Sequence, residues 1–317
     1  MARLSLVSTP RKPELPNLVE DYLRSAEATG LAPSTVDNSY GYPLRRIFLP
    51  WCAEEGIDSI EGLDAKAVDS FSAYLLRFDG KNGRLSRHSV HAYARAVRTF
   101  LLWCQRNGEA VAAAPQLPRL PRKVLDVLTW EEIEAIERAA PSERDKLIVR
   151  VLADGGLRAT EVCSLRLEDL IRRGRSTFLR VRGKGARERL VPVVPTLFRR
   201  LERYVSHYRP ADICDDHLFV SLYKGHSGEH EMMTRSGVLQ LVRGATRRAG
   251  IKKRVYTHLF RHSFFTNGLR GGMNSLVLAQ VGGHSSLRML QEVYSHLDVD
   301  DAYEQLTRML TARKAGN

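Results

Sequence analysis

The sequence predicts a mainly α-helical protein of two domains, with a small β-hairpin in the second. Three observations lead there. Apolar residues fall at helical spacing before residue 108 and again after residue 129. Between those stretches the composition changes abruptly, with Pro115, Pro118 and Pro121 at every third position. Further on, 177–182 and 189–193 read as strands around a turn at 183–188. A chain of 317 residues is long enough for two cores. The expected boundaries are 1–110 for a helical domain, 111–124 for a Pro-rich basic linker and 125–317 for an α+β domain.

In the first domain, 17–29 reads as a helix. Asn17 and Glu20 have capping-box spacing, Leu18, Tyr22 and Ala26 share a face, and Gly30 ends it. A second helix over 34–55 contains Gly41, Pro43 and Pro50, which predict a break or kink. A third, 65–78, buries Val68, Phe71, Leu75 and Phe78. The helix over 87–107 is capped by Ser86 and stopped by Gly108. Its spacing stacks Arg87, His91, Arg95 and Arg98 on one face, with Val90, Val97, Leu101 and Cys104 on another. A face holding only positive or potentially positive groups suits phosphate contact; a solvated polar face is the plain alternative. In the linker the proline period is that of polyproline II. It aligns Gln116, Arg119 and Arg122 along a basic edge suited to a DNA backbone.

In the second domain, Thr129-Trp130-Glu131-Glu132 is a capping box opening a helix to about Ala139. A helix over 145–154 ends at Gly155-Gly156, and Arg158 stands near the start of another reaching about Leu167. Mobile glycines and helix N-terminal amides there favour an anion, whereas a salt bridge to Glu161 is the structural alternative. Lys184 falls at the hairpin tip. Helices follow over 196–208 and 236–249; Arg247, Arg248, Lys252 and Lys253 form a basic cluster suited to phosphate.

The net charge of +13 comes from 49 basic and 36 acidic residues. Before Leu125 there are 17 against 13, and after it 32 against 23, so both parts are basic, as in a clamp around nucleic acid. Cys52, Cys104, Cys163 and Cys214 are scattered and read as reduced core residues of a cytoplasmic protein. No signal peptide and no membrane-length apolar run is visible. No metal is expected. His258 and His262 are four apart, but Leu259 stands where a zinc-protease helix needs Glu, and His226 and His230 lack a third ligand.

The stretch 257–296 organises the chain. It holds His258, His262, His284 and His296, with Arg261 and Tyr294, and no carboxylate before Glu292. Arginine offers a fork matched to phosphate oxygens, histidine donates or moves a proton, and a tyrosine hydroxyl can act as nucleophile. Together, His258-x-x-Arg261, Gly283-His284 and Tyr294, with Gly156-Leu157-Arg158 and Gly183-Lys184-Gly185 upstream, resemble the tyrosine recombinase (phage integrase-like) family. The resemblance covers most of 15–296.

The resemblance implies a two-domain C-shaped clamp, a helical core-binding domain plus an α+β catalytic domain. It implies site-specific recombination of double-stranded DNA through a 3′-phosphotyrosyl intermediate, in integration, excision or resolution. Tyr294 is then the nucleophile, and Arg158 and Arg261 clamp the scissile phosphate. Lys184 is general acid, His258 assists deprotonation of Tyr294, and His284 bonds the phosphoryl group. Glu161, His262 and His296 support them. No cofactor is needed, since the broken bond is stored as phosphotyrosine. The implied partners are the recombination site, further copies forming a tetrameric synapse from a free monomer, and a possible partner recombinase. A C-terminal helix, with Ala302, Leu306, Met309 and Leu310 as its stripe, would dock on the neighbour. Departures from the family pattern are Gly282 before Gly-His, which loosens that helix end, Leu259 in place of a common aspartate, and ten residues from His284 to Tyr294. Two other readings share these residues: a type IB topoisomerase, and a catalytically silent DNA-binding regulator.

Overall fold

The computed structural model describes residues 14–80, 83–118, 120, 126–183, 188–210, 213, 215–225 and 228–283. The chain divides into two compact units, Met1–Lys123 and Val124–Asn317. The described residues are mostly helical, with small antiparallel sheets.

In the first unit, α1 (Leu15–Ala28) starts earlier than its sequence suggests. Glu14 is the cap residue and makes no side-chain cap bond, so the Asn17–Glu20 box does not form. Pro16 takes a first-turn position instead, where its missing N–H is no loss. Of the break or kink expected over 34–55, no break in the helical path is present. α2 (Pro33–Thr35), π-helical segments Val36–Gly41 and Leu44–Phe48, and α3 (Leu49–Glu54) run on as one helical path. Proline cannot donate and crowds the carbonyl four residues back. Wider turns accommodate it: the Tyr42 N–H donates to the Asp37 carbonyl and the Leu49 N–H to the Leu44 carbonyl, five residues back.

α4 (Ala65–Arg77) is capped by Asp64, whose carboxylate accepts from the Ala67 N–H. Phe78 leaves the helix in extended conformation and is half-buried rather than core. A short hairpin follows, β1 (Asp79–Gly80) with β2 (Gly83–Arg84), and then α5 (Arg87–Arg106), capped by Ser86 as predicted. Aromatic edges close the core: the Phe71 ring lies 5.0 Å from Trp51 and 5.2 Å from Phe48, centroid to centroid. The start of the predicted linker belongs to this core. Val111, Ala113 and Ala114 pack against it and Pro115 is buried.

In the second unit, α6 (Trp130–Arg138) carries the predicted capping box, formed by Thr129 and Glu132. α7 (Glu143–Gly155) buries residues on nearly every side, including Leu147, Ile148, Val149, Val151 and Leu152, which makes it the central helix. It packs against α6, α8 (Ala159–Cys163), α9 (Pro195–His207) and α11 (Thr257–Arg270). The predicted hairpin is β4 (Ser176–Arg182) with β5 (Glu188–Pro192), paired Val181 to Arg189. A strand not read from sequence, β3 (Leu170–Arg173), adds to β4. A second hairpin joins β6 (Val220–Lys224) to β7 (His230–Met232), also not read from sequence. α10 (Arg235–Arg248) completes the main core, and α11 and α12 (Ser275–Gly282) share a small one of Phe265, Leu269, Leu278 and Ala279. Cys52, Cys104 and Cys163 are free and buried. No described helix is long and apolar enough to cross a membrane.

Candidate active site

The site is built where three helix ends meet beside α11. α7 stops at Gly156, whose φ of +58° suits glycine. A Cβ there would stand 2.4 Å from the Phe264 ring, so the close approach of α11 also requires glycine. The Gly156 carbonyl accepts from Arg261 Nη1 at 2.6 Å. α12 ends at Gly282, with Gly283 left-handed at φ +64°. The Gly282 carbonyl accepts from Arg261 Nη2 at 2.5 Å. Arg261 is 1% exposed, and its guanidinium also lies 5.1 Å from the Phe265 ring centroid. Helix carbonyls that have no partner in their own helix thus fix the arginine, and the arginine fixes them.

Arg158 is the cap residue of α8, and its side chain stays 38% exposed. Its backbone N–H donates to Glu161 Oε2 at 2.8 Å and its Nη1 to Oε1 at 2.9 Å. The salt bridge to Glu161 therefore exists, and the Arg158 side chain nevertheless remains partly exposed. α8 ends at Cys163, short of Leu167. The Glu161 side chain is 4% exposed and takes a second, bidentate pair from Arg189: Nη1 to Oε1 at 3.0 Å and Nη2 to Oε2 at 2.9 Å. Burial opposes ionisation of this carboxyl, but the Arg189 hydrogen bonds, the Arg158 N–H and both charges hold it below its ordinary value.

His258, one turn before Arg261, keeps an exposed edge. Desolvation first, then the charges of Arg261, Arg158 and Arg235, hold its imidazole below its ordinary value. The shift favours the neutral ring, the form able to accept a proton. Burial and the neighbouring Arg158 and Arg189 charges push Arg261 down to about 9, with Glu161 acting the other way. Arg261 remains cationic at neutral pH, in a field that favours an anion. The structure thus brings Arg158, His258 and Arg261 together. Lys184, His284, His296 and Tyr294 lie outside the described residues, as do Arg119, Arg122, Cys214, His226 and the C-terminal stripe of Ala302, Leu306, Met309 and Leu310.

Several expectations change. Gly282 does not loosen the end of α12: Arg189 Nε donates to the Val281 carbonyl at 2.7 Å, and Arg261 holds the next one. Leu259 is 1% exposed in the main core, so that position is spent on packing. The basic cluster after α10 splits. Arg248 Nε donates to the Ala139 carbonyl at 2.8 Å, and Lys253 Nζ lies 2.6 Å from both Glu132 Oε2 and the Val127 carbonyl. Those two fasten α6 and the segment before it, while Arg247 and Lys252 are exposed. On α5 the basic face divides similarly. His91 Nδ1 is 3.0 Å from the Pro118 carbonyl and Arg98 Nη1 donates to the Pro115 carbonyl at 3.0 Å. Arg87 and Arg95 are exposed.

Two site residues were not singled out from sequence. Arg235 begins α10 beside His258. Arg189 gave a signal: it is two residues before buried Val191, on the inward side of an alternating strand.

The Phage integrase family matches residues 126–300. Over 298 residues the chain is 31% identical to tyrosine recombinase XerC 2 of Ralstonia nicotianae, covering 90% of this chain and 83% of that protein. Over 303 residues it is 27% identical to tyrosine recombinase XerD of Listeria monocytogenes serotype 4b, covering 91% and 98%. The solved XerH site-specific recombinase bound to palindromic difH substrate shares the fold, with a TM-score of 0.69 at 18% identity over 91% of this chain and 83% of that one. The chain belongs to the phage integrase family. It is a tyrosine recombinase, an enzyme of DNA strand cleavage and religation.

Proposed function

We propose that this chain is a site-specific recombinase that exchanges strands of duplex DNA through a 3′-phosphotyrosyl intermediate. One observation carries the reading: a buried Arg261, clamped by two backbone carbonyls, lies beside partly exposed Arg158 and exposed His258. Preorganised donors aimed at a phosphate stabilise charge that grows in the transition state. Tyr294 attacks the scissile phosphorus and the 5′-oxygen leaves, taking a proton from Lys184. His258 takes the tyrosine proton, and His284 donates to a non-bridging oxygen. Religation reverses these steps, so no energy source is required. In this reading the unit Val124–Asn317 holds the chemistry, and the unit Met1–Lys123 grips DNA through Arg87 and Arg95. Strand exchange then needs four such sites, assembled on DNA from this chain alone or with a partner recombinase.

A nicked suicide duplex carrying the cognate site tests this. Wild type should become covalently attached to DNA, with the adduct mapped to Tyr294 by peptide sequencing, and Tyr294→Phe should bind without attaching. An adduct on Tyr303 would reassign the nucleophile. Relaxation of plasmid lacking the site, without recombination of plasmids bearing it, would favour a topoisomerase.

A further inference from the structure

Arg189 stands under the site without any role in the reading above, on which the following rests. Its side chain is 11% exposed and all three guanidinium nitrogens are engaged. Two hold the Glu161 carboxylate and the third holds the last turn of α12 through the Val281 carbonyl. Gly283 closes over it: a Cβ there would be 3.0 Å from Nη1 and 3.1 Å from Cδ and Cζ. Glu161 in turn holds both the backbone and the side chain of Arg158.

The charges make this more than a strut. A buried carboxylate demands a counter-charge. If Arg158 alone supplied it, that guanidinium would be neutralised by Glu161 and drawn down towards it, away from any phosphate. With Arg189 paired bidentately from below, the carboxylate is already balanced. Arg158 then keeps its geometry from Glu161 while its charge faces outward. We propose that Arg189 is a positioning residue for DNA cleavage: it neutralises Glu161 so that Arg158 is oriented by that carboxylate yet remains electrostatically available to the scissile phosphate.

The distinguishing test is a charge-rescue cycle on the full-length protein, read as single-turnover cleavage of the nicked suicide duplex at saturating DNA. Arg189→Gln should slow cleavage by about 10–100-fold, the loss common when a group orienting an active-site side chain is removed. Affinity for the duplex should change much less. Glu161→Gln added to Arg189→Gln removes the unbalanced carboxylate, and should recover cleavage at least about tenfold over the single variant. Arg189→Lys, keeping the charge without the fork, should fall between wild type and Arg189→Gln. A purely mechanical role predicts the opposite order, with the double variant no faster than the single. That result, or wild-type cleavage by Arg189→Gln, overturns the proposal while leaving the recombinase reading intact. If wild type itself forms no adduct, the recombinase reading fails instead. Should Arg189→Gln fail to fold, the double variant still decides, because exchanging both members of a buried ion pair is far better tolerated than breaking it. A folded but inert double variant contradicts the proposal.

Discussion

Helix α5 in the first unit and the arginine cluster in the second are both basic, but they use their cations differently. On α5, His91 and Arg98 are tied to the carbonyls of the proline segment, and Arg87 and Arg95 project into solvent with no framework around them. In the second unit Arg261 is buried and Arg189 partly so, and helix-end carbonyls or Glu161 fix their nitrogens. The difference teaches what each kind of arginine is for. Holding DNA needs charge near a phosphate, and a flexible side chain supplies it. Stabilising a transition state needs donors already in place, which demands a scaffold of backbone carbonyls and a balancing carboxylate.

The largest effect expected from this contrast is at Arg261. Arg261→Ala should slow cleavage by about 100–1000-fold, as for loss of one preorganised oxyanion donor. It should also lower the denaturation midpoint, because each buried carbonyl left unpaired, Gly156 and Gly282, costs about 1–3 kcal/mol. Cleavage at the wild-type rate would break the comparison. Next comes Gly156→Ala, which forces a side chain into the left-handed region and against Phe264. Denaturant melts should show a loss of about 1–3 kcal/mol from the backbone alone. A neutral result would mean that α11 is not seated on this glycine.

On α5 the effects are smaller and of another kind. Arg87→Ala and Arg95→Ala should each reduce the slope of log affinity against log salt by about 1, with cleavage at saturating DNA unchanged. Arg98→Ala should instead cost about 1 kcal/mol of stability by freeing the proline segment, with the salt slope preserved. If Arg98 alters the slope and Arg95 does not, the division of that face is wrong.

These contrasts were only partly legible in the sequence. Helices with strong caps, such as α5 behind Ser86 and α6 behind Thr129, follow from local chemistry and appear where predicted. The path from Pro33 to Glu54 did not, because π turns around Pro43 and Pro50 depend on the packing of Leu44, Ile47 and Phe48 beneath them. β3 is too short to show a period and exists through pairing with β4. In the site, His258, Arg261 and Arg158 were marked by spacing. The alternation of its strand put Arg189 on the inward side, but its partners, Glu161 and Val281, are 28 and 92 residues away and did not show in the sequence. Arg248 and Lys253 were read with Arg247 and Lys252 as a cluster suited to phosphate, because the acceptors that claim them are more than a hundred residues distant.

The smallest predicted effect concerns pH. His258 must be neutral to accept a proton, and its lowered pKa keeps it so to lower pH than an ordinary imidazole would be. The acid limb of cleavage at limiting DNA should therefore lie at lower pH than an ordinary imidazole would give. Arg235→Ala removes one of the charges that depress it, so the acid limb should move up in pH towards the ordinary value. An unmoved limb would show that Arg235 does not act on the proton acceptor.

The sharpest measurement sets Arg158→Ala against Arg95→Ala on one nicked suicide duplex, recording affinity and single-turnover cleavage for each. The account predicts that Arg158→Ala binds nearly as wild type but cleaves about 100–1000-fold more slowly. Arg95→Ala should bind more weakly and, once bound, cleave at the wild-type rate. If Arg158→Ala cleaves normally when saturated and loses only affinity, the scaffolded arginines are grips like those of α5, and the account is contradicted.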